Sequence, residues 1–263
     1  MLSPTIPSES RSAFPRILLI MLIAEDELYR LPTHFLHVKP RNVRVCLWQH
    51  HLSANVLLDY ARLYQPGLAE DMAATLHPTQ GKRLRERLSV GLLLTKVFGN
   101  EARVGYYESG RPFLKEKNES VEISISHSGD TYAFSLSDRR HGMDIEQWRD
   151  KAFALRTRFL NNEELEGLSL LAQRIGSEAR AATLLWSAKE SLYKAVDCPG
   201  LDFREDMLLQ PHGTKAQLTA YIRPLRTYFR IAYVPYPHCI LTYTEPSFDG
   251  SVPLTLSKES RIR

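Results

Sequence analysis

The chain has 263 residues, 43% of them hydrophobic, and a formal net charge of +4. This composition is ordinary for a soluble globular protein, and the length allows one large domain or two domains of about 100 to 150 residues each. Because 34 basic residues are nearly balanced by 30 acidic ones, the charge favours anionic partners only weakly. A nucleic-acid partner is therefore not predicted.

The cysteines Cys46, Cys198 and Cys239 are odd in number, widely spaced and without a C-x-x-C pair. Neither a disulfide framework nor a thiolate zinc site is predicted from them, and a reducing, cytoplasmic location fits best.

An apolar run near the N-terminus, RILLIMLIA at residues 16–24, follows basic residues as in a secretory signal peptide. The acidic sequence AEDELYR comes next, in place of a small-residue cleavage site. We therefore interpret residues 1–41 as a partly disordered N-terminal extension, or as the product of an upstream start codon with Met21 as the alternative initiator. No other segment approaches the ~18 apolar residues that cross a bilayer, so no membrane partner is predicted.

Alternating and helical patterns begin at residue 42. NVRVCLWQH (residues 42–50) predicts a strand, and LLDYARLY (57–64) predicts a helix. A longer helix is predicted over residues 78–99, ended by Gly99. One face of this helix is formed by Leu84, Leu88, Leu92 and Thr95, and its basic first turns contain Lys82, Arg83, Arg85 and Arg87.

Extended structure follows at residues 103–114, and three strands are predicted in VEISISHS, TYAFSLSD and HGMDIE, between residues 121 and 146. Two helical segments, NNEELEGLSLLAQR and SEARAATLLWSAKESLYKAV, occupy residues 161–174 and 177–196. Three more strands are predicted in AQLTAYIRP, TYFRIAYVP and CILTYTE, up to residue 245. The repeated order predicts an α+β fold with two similar halves, residues 42–146 and 147–246, followed by a tail at 247–263.

Two acidic residues stand two apart on a predicted strand. Asp144 and Glu146 would project from the same face, which is the arrangement of a hard-cation site for Mg²⁺. The alternative is a solvated strand edge, which is more common for an isolated D-x-E.

The predicted helix over residues 177–196 has two distinct faces. An apolar stripe is formed by Ala181, Leu185, Ala188 and Leu192. Trp186, Glu190 and Lys194 lie along another face at i, i+4 and i+8. Either Glu190 and Lys194 form an ordinary surface pair, or Glu190 binds a metal and Lys194 a phosphate.

A third cluster, ISHSGD, ends a predicted strand. Ser126, His127, Ser128 and Gly129 could supply hydroxyl, imidazole and backbone N–H donors to a phosphate, although such a turn is more often a satisfied hairpin. A hydrolase triad of Ser126 or Ser128 with His127 and Asp144 is the competing chemistry. Adjacent Ser and His residues project to opposite faces of a strand, and no G-x-S-x-G motif is present.

Three segments, ISISHSG, GMDIE and LLWSAKESLYKA, occur in this order and together resemble the motifs of the Sfp-type 4'-phosphopantetheinyl transferases. The resemblance covers about residues 42–245 and is densest over 105–200. It implies magnesium-dependent transfer of the 4'-phosphopantetheine arm of coenzyme A to a serine of an apo acyl or peptidyl carrier protein. It also implies two similar α+β halves related by a pseudo-twofold axis, with the active site between them in a monomer.

The resemblance also implies roles for individual residues. Asp144, Glu146 and Glu190 would be the magnesium ligands. Lys194 and Lys189 would contact coenzyme A phosphates. Glu190 and Lys194 would thus be catalytic as well.

Further roles come from flanking motifs. Glu164, in RFLNNEEL, would be the general base, with metal-held water as the alternative. Arg111, in SGRPF, would approach the nucleotide, while Ser126 and His127 would contact its phosphates. Lys82 and Arg83 would lie near the 3'-phosphate. The remaining alternatives are an inactive relative that binds coenzyme A or a carrier protein, and a Ser/His hydrolase.

Overall fold

The computed structural model describes residues 20–22, 36–38, 43–75, 81–115, 121–196, 198–211 and 216–245. Its first sheet has β3 (Val43–Gln49) at the centre, paired antiparallel with β7 (Thr131–Ser137), which pairs antiparallel with β6 (Glu122–Ser128). Two short strands pair with the other side of β3: β1 (Ile20–Leu22) is parallel and β2 (Leu36–Val38) antiparallel. Both fall within the predicted N-terminal extension, whose remaining residues lie outside the described ranges, as does the predicted tail.

Three helices connect β3 to the later strands: α1 (Ala54–Tyr64), α2 (Pro66–Thr75) and α3 (Gly81–Phe98). Ser53 begins α1, because its side chain accepts the Val56 N–H. The predicted apolar face of α3 is confirmed: Leu88, Leu92 and Thr95 are buried, and Leu84 packs against the same core. A separate hairpin of β4 (Arg103–Tyr106) and β5 (Pro112–Lys115) follows.

The second sheet is antiparallel throughout, in the order β8 (Met143–Gln147), β12 (Cys239–Glu245), β11 (Thr227–Pro235), β10 (Gln217–Ile222) and β9 (Met207–Pro211). Four α-helices and a short 3-10 helix (Arg156–Arg158) lie between β8 and β9. The α-helices are α4 (Asp150–Ala154), α5 (Asn162–Glu166), α6 (Leu168–Ile175) and α7 (Glu178–Val196).

The described ranges form mixed helices and sheets, consistent with the predicted α+β class. In each half the first strand pairs antiparallel with the last, and the last pairs with the strand before it. This pairing is shared by β3–β7–β6 and β8–β12–β11. A pseudo-twofold relation between the halves stays a prediction.

Strand alternation places the two sheets back to back. Val45 of β3 contacts an apolar layer that includes Met143 and Ile145 of β8, whereas Trp48 points to the helices of the first half. The apolar stripe of α7 packs on the opposite face of the second sheet. The described residues therefore stack as helices, sheet, sheet and helices.

The elements differ from the sequence predictions in three respects. β8 pairs with β12 in the second sheet, so the chain changes sheets between Ser137 and Met143, earlier than the predicted join near residues 146–150. The predicted helix over 161–174 is two helices that meet at Gly167. Helices α2 and α4 and strands β1, β2 and β9 were not predicted. Within the described residues, no helix is both long and apolar enough to cross a membrane.

Candidate functional site

The candidate site lies where β6 of the first sheet meets β8 of the second. β6 and β8 belong to different sheets, and side chains join them in place of backbone pairing. Serine hydroxyls of β6 accept hydrogen bonds from the N–H groups of alternate residues of β8. The donor–acceptor pairs are Met143 and Ser124 at 3.0 Å, Ile145 and Ser126 at 3.3 Å, and Gln147 and Ser128 at 3.0 Å. These three hydrogen bonds hold in place the strand that carries Asp144 and Glu146.

Asp144 is buried at the junction of β6, β8 and α7. Its Oδ1 accepts hydrogen bonds from Ser126 Oγ and Lys194 Nζ, both at 2.7 Å. Its Oδ2 accepts the Ser187 hydroxyl at 2.8 Å. A buried carboxylate needs such donors, and the ammonium of Lys194 offsets its charge.

Glu146 projects from the same face of β8, as the sequence predicts. Its carboxylate accepts Ser128 Oγ at 2.7 Å and Trp186 Nε1 at 3.1 Å. Burial raises the pKa of Glu146, and the negative charge of Asp144 raises it further. The two carboxylates therefore repel each other in a partly desolvated space.

Glu190 adds a third carboxylate from α7. The pKa of Glu190 is raised to about 7, mainly by burial, and also by the charges of Asp144 and Glu146, while Lys194 opposes the shift. Within the described residues the Glu190 carboxylate makes no hydrogen bond. Trp186, Glu190 and Lys194 are all half-buried on a helix whose other face is enclosed, which confirms the predicted separation of the two faces.

The donor chemistry of this cluster fits magnesium, which prefers oxygen ligands. Three carboxylates and the hydroxyls of Ser126 and Ser128 are its polar groups. As they are oriented, no three His, Cys, Asp or Glu side chains of the described ranges stand close enough together to hold a metal ion. Binding would require the Glu190 side chain, which no hydrogen bond fixes within these ranges, to turn toward Asp144.

The first half of the chain contributes His127 and the start of α3. His127 Nε2 lies 3.5 Å from Glu86 Oε2, on the opposite face of β6 from the carboxylate-binding serines. Burial lowers the pKa of His127; Glu86 opposes this shift, and the positive charges of Lys194 and Lys82 add to it. Charged groups from both halves therefore affect His127, as expected for a phosphate-binding group that lies between them.

Gly142 allows α7 to lie directly against the start of β8. A Cβ added at Gly142 would stand 2.6 Å from Ala195 N and would also collide with the carbonyl oxygen of Ser191. The glycine of the G-x-D-x-E motif is thus needed for the close approach of the helix that carries Glu190 and Lys194.

Two predicted site residues lie elsewhere. Lys189 is fully buried, and its Nζ donates to Glu164 Oε2 at 2.7 Å and to the carbonyl oxygens of Phe159 and Phe203 at 2.8 and 2.7 Å. Glu164 also accepts the N–H groups of Asn161 and Leu209. Burial lowers the pKa of Lys189 and raises that of Glu164, and each partner opposes the shift of the other. These contacts favour a structural role over the predicted phosphate contact and base role.

The predicted nucleotide-binding residues are spread along the first half. Arg111 pairs with Glu122 at 2.8 Å and stacks 4.4 Å from the centre of the Tyr107 ring. Lys82 is almost fully exposed at the start of α3, and Arg83 is exposed beside it. Of these three, only Lys82 is electrostatically linked to the carboxylate cluster, through His127.

Three residues near the cluster were missed by the sequence analysis: Glu86, Ser187 and Thr242. Glu86 sits in a strongly basic helical turn, and Thr242 in the strand CILTYTE, which also contains Thr244. Threonines within a largely buried strand were the available signal for Thr242. Ser187 lies next to Trp186 and is fully buried, although only its partners show why a hydroxyl is needed there.

The hydrolase arrangement is not formed. Ser126 contacts Asp144 directly, and His127 projects to the other side of β6. Within the described ranges, neither Ser126 nor Ser128 bonds to the His127 ring, so the proton path of a Ser-His-Asp triad is missing.

A comparison with known families supports the transferase instead. The sequence model of the 4'-phosphopantetheinyl transferase superfamily matches residues 140–239, which include Asp144, Glu146, Glu190 and Lys194. The match indicates a transferase of this type. No curated protein matches the chain significantly.

Proposed function

We propose that this chain is an Sfp-type, magnesium-dependent transferase that moves the 4'-phosphopantetheine arm of coenzyme A to a serine of an apo acyl or peptidyl carrier protein. The observation that carries the proposal is the convergence of Asp144, Glu146, Glu190 and Lys194 inside the segment that matches the superfamily. Oxygen ligands and an ammonium group at one junction suit a pyrophosphate substrate.

The reaction is a phosphoryl-group substitution. The carrier serine oxygen forms a bond to the β-phosphorus of coenzyme A, and the bond from that phosphorus to the bridging oxygen breaks. The serine proton must be accepted by a base, and 3',5'-ADP leaves. Negative charge grows on the phosphate oxygens and the leaving group, so positive groups beside them lower the barrier.

Asp144, Glu146 and Glu190 are the residues that would hold magnesium, which supplies charge neutralisation to the pyrophosphate when bound. Lys194 supplies a second positive charge on the same side of α7. Ser126 and Ser128 hold Asp144 and Glu146, so we assign Ser126 to positioning the carboxylate, with its phosphate contact secondary. Lys82 extends the positive side of the site toward α3, where the His127 ring can donate an N–H to a phosphate.

The serine proton requires an acceptor, and the contacts favour Glu190 over Glu164. Glu164 is enclosed by donors from Lys189, Asn161 and Leu209. Glu190 is half-buried beside the other carboxylates and has no hydrogen-bond donor among the described residues. A carboxylate free of donors is the better proton acceptor.

Arg111, Lys82 and Arg83 remain the proposed contacts for the nucleotide part of coenzyme A. We further propose a cytoplasmic monomer, in keeping with the free cysteines Cys46, Cys198 and Cys239. Its weak positive net charge suits an acidic carrier protein.

The test is a transfer assay with purified full-length chain, coenzyme A and a panel of apo carrier proteins. Intact mass spectrometry should show one phosphopantetheinyl group added to the carrier, and EDTA should prevent it until Mg²⁺ is restored. Asp144→Asn should lower the rate by roughly 100-fold or more, because it removes a magnesium ligand and weakens the hold on the positive charge that the metal would supply beside the reacting phosphates. Asp59→Asn, on exposed α1, is the matched control.

Three results would contradict the proposal. Unchanged transfer by Asp144→Asn would reject the metal assignment. Coenzyme A binding without transfer to any carrier of the panel would indicate an inactive relative. Ester cleavage that resists EDTA and is blocked by a serine-reactive phosphonate would indicate the hydrolase.

A further inference from the structure

Thr242 and Asp144 face each other across the second sheet. They are directly opposite in the register of β12 and β8, on the side covered by α7. Thr242 is fully buried, between Ile240 and Thr244 on the same face of β12. Burying an unpaired hydroxyl is costly, so its partners indicate its purpose.

The partner of Thr242 is Ser187 of α7. The two hydroxyl oxygens are 2.9 Å apart, and Thr242 Oγ1 also lies 2.9 Å from the carbonyl oxygen of Ser187. Ser187 is itself fully buried, and its hydroxyl lies 2.8 Å from Asp144 Oδ2. The three groups form a continuous chain from β12 through α7 to β8.

The donor and the acceptor of each of these hydrogen bonds can be assigned. A carboxylate only accepts hydrogen bonds, so the single hydroxyl proton of Ser187 is donated to Asp144. The oxygen of Ser187 can then only accept from Thr242, which donates to this oxygen or to the Ser187 carbonyl. Thr242 thus holds Ser187 in the orientation that serves Asp144.

Asp144 is held from its other side by Ser126 on Oδ1. Ser126 is anchored in turn by the Ile145 N–H. The carboxylate is therefore clamped between two hydroxyls, one from each half of the chain. Mutation of groups that orient a ligand in this way typically weakens metal binding by about 10- to 100-fold.

We infer that Ser187 and Thr242 are positioning residues that orient the Asp144 carboxylate for a divalent cation. The inference rests on the proposed function, because it assumes that Asp144 binds Mg²⁺. Both side chains are fully buried, so neither is placed to contact a substrate. Their effect is transmitted through the orientation of one carboxylate.

The experiment is a calorimetric titration of Mg²⁺ into the full-length chain, with coenzyme A present and carrier protein omitted. Ser187→Ala should weaken Mg²⁺ binding by roughly 10- to 100-fold. Thr242→Val, which removes the hydroxyl at nearly constant shape, should also weaken Mg²⁺ binding. Thr242→Ser, which keeps a hydroxyl, should bind Mg²⁺ like the wild type. The variant with both Ser187→Ala and Thr242→Val should resemble Ser187→Ala alone, because Thr242 acts through Ser187.

Ser191→Ala is the matched control. Ser191 lies one turn further along α7 and is equally buried, but its hydroxyl donates to Ala188 O within the helix. It should bind Mg²⁺ like the wild type. In the transfer assay, Ser187→Ala should raise the Mg²⁺ requirement and lower kcat, with little change in the KM for coenzyme A.

The two proposals fail in different ways. If the wild-type chain does not bind Mg²⁺ in this titration, the metal part of the proposed function is overturned, and the inference with it. If the wild type binds and a folded Ser187→Ala variant binds as tightly as Ser191→Ala, only the inference is overturned. Failure of Thr242→Ser to recover what Thr242→Val loses would also overturn it.

Discussion

Lys189 Nζ lies 2.7 Å from Glu164 Oε2, and both side chains are enclosed in the core of the second half. Lys189 belongs to α7 and directly precedes Glu190 in sequence. Because Lys189 is bound to Glu164 and to the carbonyl oxygens of Phe159 and Phe203, the rotation of α7 about its axis is fixed. The neighbouring Glu190 is thereby placed on the face of α7 where the charges of Asp144 and Glu146 reach it.

Glu164→Gln should therefore destabilise the fold rather than remove a proton acceptor. The change leaves the buried ammonium of Lys189 without a counter-charge, which costs about 3–5 kcal/mol. Urea unfolding followed by circular dichroism measures the loss. Transfer activity of the folded fraction should keep the pH profile of the wild type.

Glu163→Gln is the control for this variant, because Glu163 is the exposed neighbour in α5. It should change the unfolding free energy by less than about 0.5 kcal/mol. A Glu164→Gln variant as stable as Glu163→Gln, but inactive in transfer, would restore the general-base role predicted from the sequence.

Gly142→Ala should impair both stability and transfer. The added methyl group would collide with the backbone of α7 at Ser191 and Ala195, and backbone cannot yield as a flexible side chain can. The expected loss is about 1–3 kcal/mol in unfolding free energy, and the displaced helix carries Glu190 and Lys194 away from Asp144.

Thermal unfolding and the carrier transfer assay together check this effect. Gly81→Ala at the start of α3 is the control for stability, since its Cβ would meet no atom of the described residues within 4 Å. If Gly142→Ala retains wild-type stability and rate, the close packing of α7 against β8 is not what places the site.

The sequence predicted the strands and helices that have strong periodicity, and it separated the two faces of α7 correctly. On α7, burial follows the side-chain pattern: Leu185 and Leu192 are enclosed, whereas Glu190 is half-buried. Asp144 and Glu146 share a face of β8 because alternation in a strand is a local property.

Contacts between distant segments could not be predicted in the same way. The Ser126–Asp144 contact depends on how two sheets meet, and nothing local in ISHSGD indicates it. The sequence resemblance gave Glu164 the base role and Lys189 a phosphate contact, yet their mutual ion pair forms across 25 residues of chain. Such long-range pairing is decided by packing, which a motif does not encode.

Folding stability should decline as the pH falls through the range in which His141 titrates. Burial lowers the pKa of His141 to about 4 from an ordinary value of 6.5, and its ring bonds to Ser135 Oγ at 2.7 Å. The unfolded chain binds this proton near pH 6.5 but the folded chain only near pH 4. The contribution of neutral His141 is thus complete above pH 6.5 and is lost progressively down to about pH 4. The loss is on the order of 3 kcal/mol.

Urea unfolding at intervals from pH 7.5 to 4 should show a smaller decline for His141→Asn than for the wild type. The decline that remains includes the contribution of His50, because burial also lowers the pKa of His50 to about 4. His238→Asn, in an exposed turn, is the control and should keep the wild-type dependence. If His141→Asn and His238→Asn lose stability in parallel over this range, His141 does not couple folding to pH. The acid sensitivity would then have to come from other buried groups.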